Sequence, residues 1–96
     1  MNNLNSVLVE GVVTGKRIGA FGVQLDLESY RDSEPAETSR FFVNVPPNTR
    51  LASVVGSSLE VGQGVRVVGR LSGSAGNVVI VSEHIEYKPV KAKPLQ

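Results

Sequence analysis

The sequence predicts an all-β domain, five strands curled into a small barrel with one short helix between the third and fourth. Three observations carry that expectation: valine-rich runs closed by glycine or proline, one stretch of strict two-residue alternation, and a single short segment with helical spacing after a proline pair.

The first run, Val7-Leu8-Val9-Glu10-Gly11-Val12-Val13-Thr14, is rich in β-branched residues and meets a breaker at Gly15, which reads as a strand. Lys16-Arg17 then reads as an exposed basic turn. Phe21, Val23, Leu25 and Leu27 alternate with Gly22, Gln24, Asp26 and Glu28, the signature of a half-buried second strand. Arg31 to Ser39 is polar and contains Pro35, a hairpin loop leading to a third strand, Arg40-Phe41-Phe42-Val43-Asn44-Val45, which Pro46-Pro47 stops. Asn48 or Thr49 is placed to cap a short helix through Leu51, Ala52, Val54 and Val55, with Gly56 as its break or end. Gly62-Gln63-Gly64 is turn chemistry before a fourth strand, Val65 to Leu71. A tight loop, Ser72 to Asn77, joins it to a fifth strand that starts at Val78-Val79-Ile80-Val81 and continues to Tyr87. From there the composition is that of a linker, so the expectation is one domain over 1–89 and a flexible tail over 90–96.

Three strands, one short helix and two further strands in 96 residues is the order of an OB-fold, a five-stranded Greek-key barrel. Gly11 and Gly69, inside the first and fourth strands, fit the tight bends of such a barrel, although simple bulges would use glycine equally well. The absence of cysteine removes disulfides, thiolate metal sites and thiol nucleophiles. No apolar run approaches the roughly 20 residues that span a bilayer, and Met1 to Asn5 lacks the basic and apolar regions of a signal peptide, so a cytoplasmic protein is expected. Net charge is only +1, a weak electrostatic signature for nucleic-acid binding; Asp26, Glu28, Asp32, Glu34 and Glu37 crowd one stretch while most arginines lie outside it.

Three segments resemble the bacterial single-stranded DNA-binding proteins: Asn5 to Gly11, Gly64 to Leu71, and Val78 to Pro89, with Tyr30-Arg31-Asp32 and Ser39-Arg40-Phe41-Phe42 falling where that family has its loop-flanking aromatics. The resemblance implies a homodimer or homotetramer that wraps single strands over an aromatic and basic surface, without catalysis, cofactor, membrane or small-molecule substrate. This chain departs from the pattern in having no tryptophan, a much shorter loop from Ser72 to Asn77 between the fourth and fifth strands, and no acidic tip after Lys93-Pro94-Leu95-Gln96, so recruitment of partners through such a tip is not expected. A trimmed OB-fold of this kind also resembles the primosomal replication protein of enterobacteria, a dimeric relative that binds single strands and helicase partners.

Binding unpaired DNA needs flat rings for bases and cations for phosphates. Alternation sends Phe41, Val43 and Val45 inward and leaves Phe42 and Asn44 outward, which makes Phe42 the first stacking candidate; packing under a loop or in a subunit interface is its alternative. Tyr30 beside Arg31 pairs a ring with a guanidinium, but strict alternation puts Tyr30 on the face of Asp26 and Glu28 unless a bulge intervenes. Arg40, Arg50, Arg70, Lys16 and Arg17 are the remaining phosphate candidates, each with surface solubility as the plain alternative, and Arg66 serves an interface equally well. Tyr87 reads as packing against the barrel or a neighbouring subunit. His84 has no metal-ligand spacing or triad partner, Gly62-Gln63-Gly64 lacks the Lys-Ser/Thr of a phosphate loop, and Glu83 and Glu86 have an odd spacing on a strand, so no enzyme is expected. The competing class is a protein-interaction module that has lost useful DNA affinity, motivated by the missing tryptophans and near-neutral charge.

Overall fold

The computed structural model describes residues 2–88; the expected tail over 90–96 lies outside them. Five strands, β1 (Val7–Gly19), β2 (Gly22–Arg31), β3 (Glu37–Val45), β4 (Gly64–Ser74) and β5 (Asn77–Tyr87), are joined by one helix, α1 (Arg50–Ser58), between β3 and β4. They form a closed barrel in the order β1-β2-β3-β5-β4, which is the OB-fold. All pairings are antiparallel except β3 with β5, which meet only at Val43–Ile80 and Asn44–Val81. At that short seam the buried Ser82 donates its hydroxyl to the Asn44 carbonyl at 3.2 Å.

Alternation fills the barrel. Val13, Val23, Leu25, Leu27, Val43, Val45, Val65, Val67, Ile80 and Ile85 point inward and are buried, and Phe41 packs half-buried against them. Thr49 caps α1: its hydroxyl accepts from the Ala52 amide at 3.0 Å and donates to the Pro46 carbonyl at 2.8 Å. The helix then drops Val55, and just past its end Leu59, into the barrel mouth, where both are fully buried. Gly56 does not end the helix as its position suggests. A glycine costs a helix only about 1 kcal/mol relative to alanine, less than the burial of two aliphatic side chains on one face supplies.

Gly15 does not end β1 either. The strand pairs with β4 over Val7–Val12 and with β2 over Val12–Gly19, and Thr14 is an extra residue between the pairs Val13–Leu27 and Gly15–Asp26. Such a bulge bends the strand and reverses which side each later residue faces. Lys16 and Arg17 are therefore strand residues rather than a turn. The turn lies at Ala20-Phe21, before Gly22 with its φ of 106°. That left-handed residue breaks the run of alternation, so Phe21, expected in the core with Val23, stands 86% exposed at the hairpin tip.

Two other boundaries differ from expectation. β3 begins at Glu37, because β2 and β3 pair without a break from Val23–Val45 to Arg31–Glu37. The loop expected over Ser72–Asn77 is nearly all strand: Ser72, Gly73 and Ser74 pair with Val79, Val78 and Asn77, and only Ala75-Gly76 turn. Just before that stretch of β4, the Asn5 side chain acts as a short extra rung, donating to the Leu71 carbonyl at 2.8 Å and accepting from its amide at 2.9 Å.

Gly11 and Gly69 do occupy close approaches. A methyl at Gly11 would run into the Glu28 carbonyl where β1 crosses from β4 to β2, and one at Gly69 into the Val81 carbonyl beside the bulge at Glu83. Gly69→Ala is expected to lower stability by about 1–3 kcal/mol, the usual cost of overpacking. A urea unfolding curve with a lower midpoint and unchanged slope would bear this out, and an unchanged midpoint would contradict it.

Candidate nucleic-acid interface

Because β2 and β3 pair without a bulge, the outward residues of the hairpin fall into four rungs on one face. They are Gln24 with Asn44, Asp26 with Phe42, Glu28 with Arg40, and Tyr30 with Thr38. The first rung continues onto the neighbouring strands: Arg17 of β1 lies opposite Gln24, Val81 of β5 beside Asn44, and Arg70 of β4 opposite Val81. One row thus crosses all five strands with an arginine at each end. Phe42 is 54% exposed and Tyr30 66% exposed, so both rings lie open on this face. Four residues of β2 separate their rungs, about 13 Å at the rise of a strand.

Phe21, at the tip of the β1–β2 hairpin, is a third open ring that periodicity hides. The signal that marks it is the local composition Gly19-Ala20-Phe21-Gly22, in which small residues around a ring indicate a turn rather than a buried strand. A shallow depression of about 350 Å³ lies between Thr14, Asp26, Arg40 and Phe42, and a larger groove runs between Leu8 and Val12 of β1 and Ser29 and Tyr30 of β2.

The face is not basic. Arg17 grips Asp26 with two hydrogen bonds of 2.7 and 3.0 Å, and its Nε lies 3.4 Å from the Gln24 side-chain oxygen. Arg40 Nε is 3.4 Å from Glu28, and Arg70 Nη1 is 3.5 Å from Glu83. On the β1–β4 side, Glu10 accepts from Arg66 at 2.7 Å and lies 3.6 Å from Lys88, while Arg66 also approaches Glu86 at 3.8 Å. Spatial pairing therefore undoes the separation of acids and bases visible along the chain.

Of the candidates named from sequence, Phe42, Tyr30, Arg40, Asn44, Arg17 and Arg70 come together on the rungs. Three do not. Arg31 follows Tyr30 on β2 and so faces the opposite side, across from Glu37. Arg50 is exposed at the start of α1. Lys16, turned by the Thr14 bulge to the side of Leu25, donates to the carbonyls of Gly56 at 3.0 Å and Leu59 at 2.7 Å. It is a cation on the negative end of a helix, a structural role. Tyr87 is exposed at the end of β5, its hydroxyl 2.6 Å from that of Ser58 at the end of α1.

No family model matches this sequence, and no curated protein matches it. Solved structures do. A small single-stranded DNA-binding protein from Mycoplasma pneumoniae superimposes with a TM-score of 0.73 at 18% identity, covering 95% of this chain and 99% of that one. The small single-stranded DNA-binding protein from Streptomyces coelicolor gives 0.72 at 24% identity, covering 97% and 99%. The mitochondrial single-stranded DNA-binding protein Rim1 from S. cerevisiae gives 0.73 at 11% identity, covering 90% and 96%. What the three share with this chain is the OB-fold. Among the described residues no helix is long and apolar enough to cross a membrane.

Two expectations follow from the side chains of this OB-fold. Lys16→Met removes the cation from the end of α1 and is expected to lower stability by about 1–2 kcal/mol, read from the urea midpoint. Hydrogen bonds from Arg66, then the charge of Lys88, hold the Glu10 carboxyl below its ordinary value of 4.5, and hydrogen bonds from Arg17 hold Asp26 below its ordinary value of 3.8. Groups depressed on folding stabilise above their unfolded values and lose that contribution as pH falls through the folded ones. The urea midpoint is therefore expected to hold steady down to about pH 5 and to decline below it. In Glu10→Gln with Asp26→Asn the decline is shallower, and an equal decline in native and variant protein would contradict the assignment.

Proposed function

We propose that this chain binds single-stranded DNA without sequence preference, as a homo-oligomer in the cytoplasm that shields transiently opened DNA during replication, recombination or repair. It acts as a binding protein, with no catalytic step, cofactor or small-molecule substrate. The observation that carries the reading is the pair of open rings, Phe42 and Tyr30, on one unbroken face of a barrel shared with solved single-stranded DNA-binding proteins.

Bases stack on Phe42 and Tyr30, with Phe21 at the hairpin tip as a further platform. Stacking tolerates any sequence because every base has a π-face. Arg17, Arg40 and Arg70, together with the Asn44 amide, serve the backbone. Since exposed ion pairs contribute roughly 0–1 kcal/mol, a phosphate can take an arginine from its carboxylate at small cost. Arg31, Arg50 and Lys16, which stand off the rungs, contribute less.

A second reading has a specific observation behind it. The ion pairing of Arg17, Arg40, Arg66 and Arg70 suits an OB module that docks proteins, or a primosomal-type partner with weak DNA affinity.

Titration of labelled oligo-dT at two salt concentrations separates the readings. Saturable binding is expected at low salt, with a log–log salt slope of about −2 if three arginines each displace a counterion. Phe42→Ala is expected to weaken binding by about tenfold, within the roughly 1–3 kcal/mol measured per stacked base, and Phe21→Ala by less. No saturable binding at low salt would overturn the DNA reading in favour of the docking module.

A further inference from the structure

Asp26 and Glu28 occupy the middle of the ring face, on the two rungs between Asn44 and Tyr30, and each already holds a guanidinium. Arg17 with Asp26 and Arg40 with Glu28 leave that stretch without net charge. The arrangement is unusual for a surface meant to attract phosphates, and it discriminates between two kinds of ligand. A duplex hides its bases and offers only phosphates, at about one charge per 1.7 Å of axis. Laid on this face it would gain nothing from the rings and would meet arginines whose charge Asp26 and Glu28 already cancel. An unpaired strand can turn neutral bases toward Phe42 and Tyr30 and carry its backbone along the flanks, where Arg17 and Arg70 end the cross-strand row. The same two carboxylates then meet bases rather than phosphates.

We propose that Asp26 and Glu28 are selectivity residues: by neutralising the ring face they make it accept unpaired bases and reject duplex DNA. The proposal rests on the single-strand reading above. It differs from a merely structural role, in which the two acids only brace Arg17 and Arg40, because cancelling the guanidinium charge withholds attraction from a ligand that offers only phosphates and costs less to one that also stacks its bases.

The test compares the affinity of the protein for oligo-dT with that for a blunt duplex of the same length, at the same salt, in native protein and in Asp26→Asn with Glu28→Gln. Both substitutions keep side-chain size, and a thermal melt checks folding. Duplex affinity is expected to rise roughly tenfold and single-strand affinity less than about threefold, so that the preference narrows. A control, Glu34→Gln with Glu60→Gln, makes the same change in net charge on exposed loop residues and is expected to leave the preference unchanged. If the double variant proves unstable, Glu28→Gln alone is expected to give part of the same narrowing. The proposal is overturned if both affinities rise equally, if single-strand binding falls because the arginines lose their positions, or if the control narrows the preference as much. Native protein that binds no single strand overturns the underlying reading as well, an outcome distinct from these.

Discussion

Everything in this barrel depends on β1 serving two neighbours. Five strands of nine to thirteen residues close only if one of them pairs with β4 in its first half and β2 in its second. A straight strand cannot do that. Gly11 lets the backbone pass directly over the Glu28 carbonyl, and Thr14 adds the residue that bends the strand away. The bend aims Lys16 at the end of α1, so the helix that plugs the barrel mouth is held by the same irregularity that closes the wall. Closure leaves the β2–β3 hairpin free of bulges, and only a bulge-free hairpin keeps Phe42, Tyr30 and Arg40 on a single face.

That face combines open rings with compensated charge. Surfaces that grip nucleic acid chiefly through phosphates carry excess cations and lose affinity steeply with salt. Here guanidiniums are present but engaged, so on the proposed reading the weight of recognition falls on the flat aromatic surfaces. With no tryptophan in the chain, those surfaces are phenylalanine and tyrosine.

The barrel was legible in the sequence wherever side chains alternate between water and core. Val23, Leu25, Leu27, Val43 and Val45 are inward as alternation requires, Thr49 caps the helix, and Phe42 faces outward. What alternation does not encode is where its phase resets. Gly22 resets it and displaces Phe21 to a turn; Thr14 resets it and sends Lys16 to the helix. Thr14 does not look unusual within its run, because a bulge is set by the partner strand and not by local composition, whereas Gly22 carries a turn signal in the small residues around Phe21 that the alternation masks. Gly15, Gly56 and Gly73 misled in the opposite sense, as glycines that neighbouring strands and core contacts carry through. Charge was the least legible property: Arg66 and Glu10 lie 56 residues apart along the chain and adjacent across strands, and Arg17 reaches Asp26 only across the β1–β2 hairpin that the expected turn at Lys16-Arg17 hid.

The β4–β5 hairpin continues past the barrel to Ala75-Gly76 with both faces in water; Leu71 and Val78 are each 47% exposed. A two-stranded ribbon without a third layer is only marginally stable by itself. Its amides therefore exchange by fraying from the tip, on a faster clock than those of Val65, Val67 or Ile85, whose exchange requires the wall to open. One continuous pair of strands thus spans two regimes of motion, a fixed stave up to the Leu71–Ile80 pair and a pliant antenna beyond it.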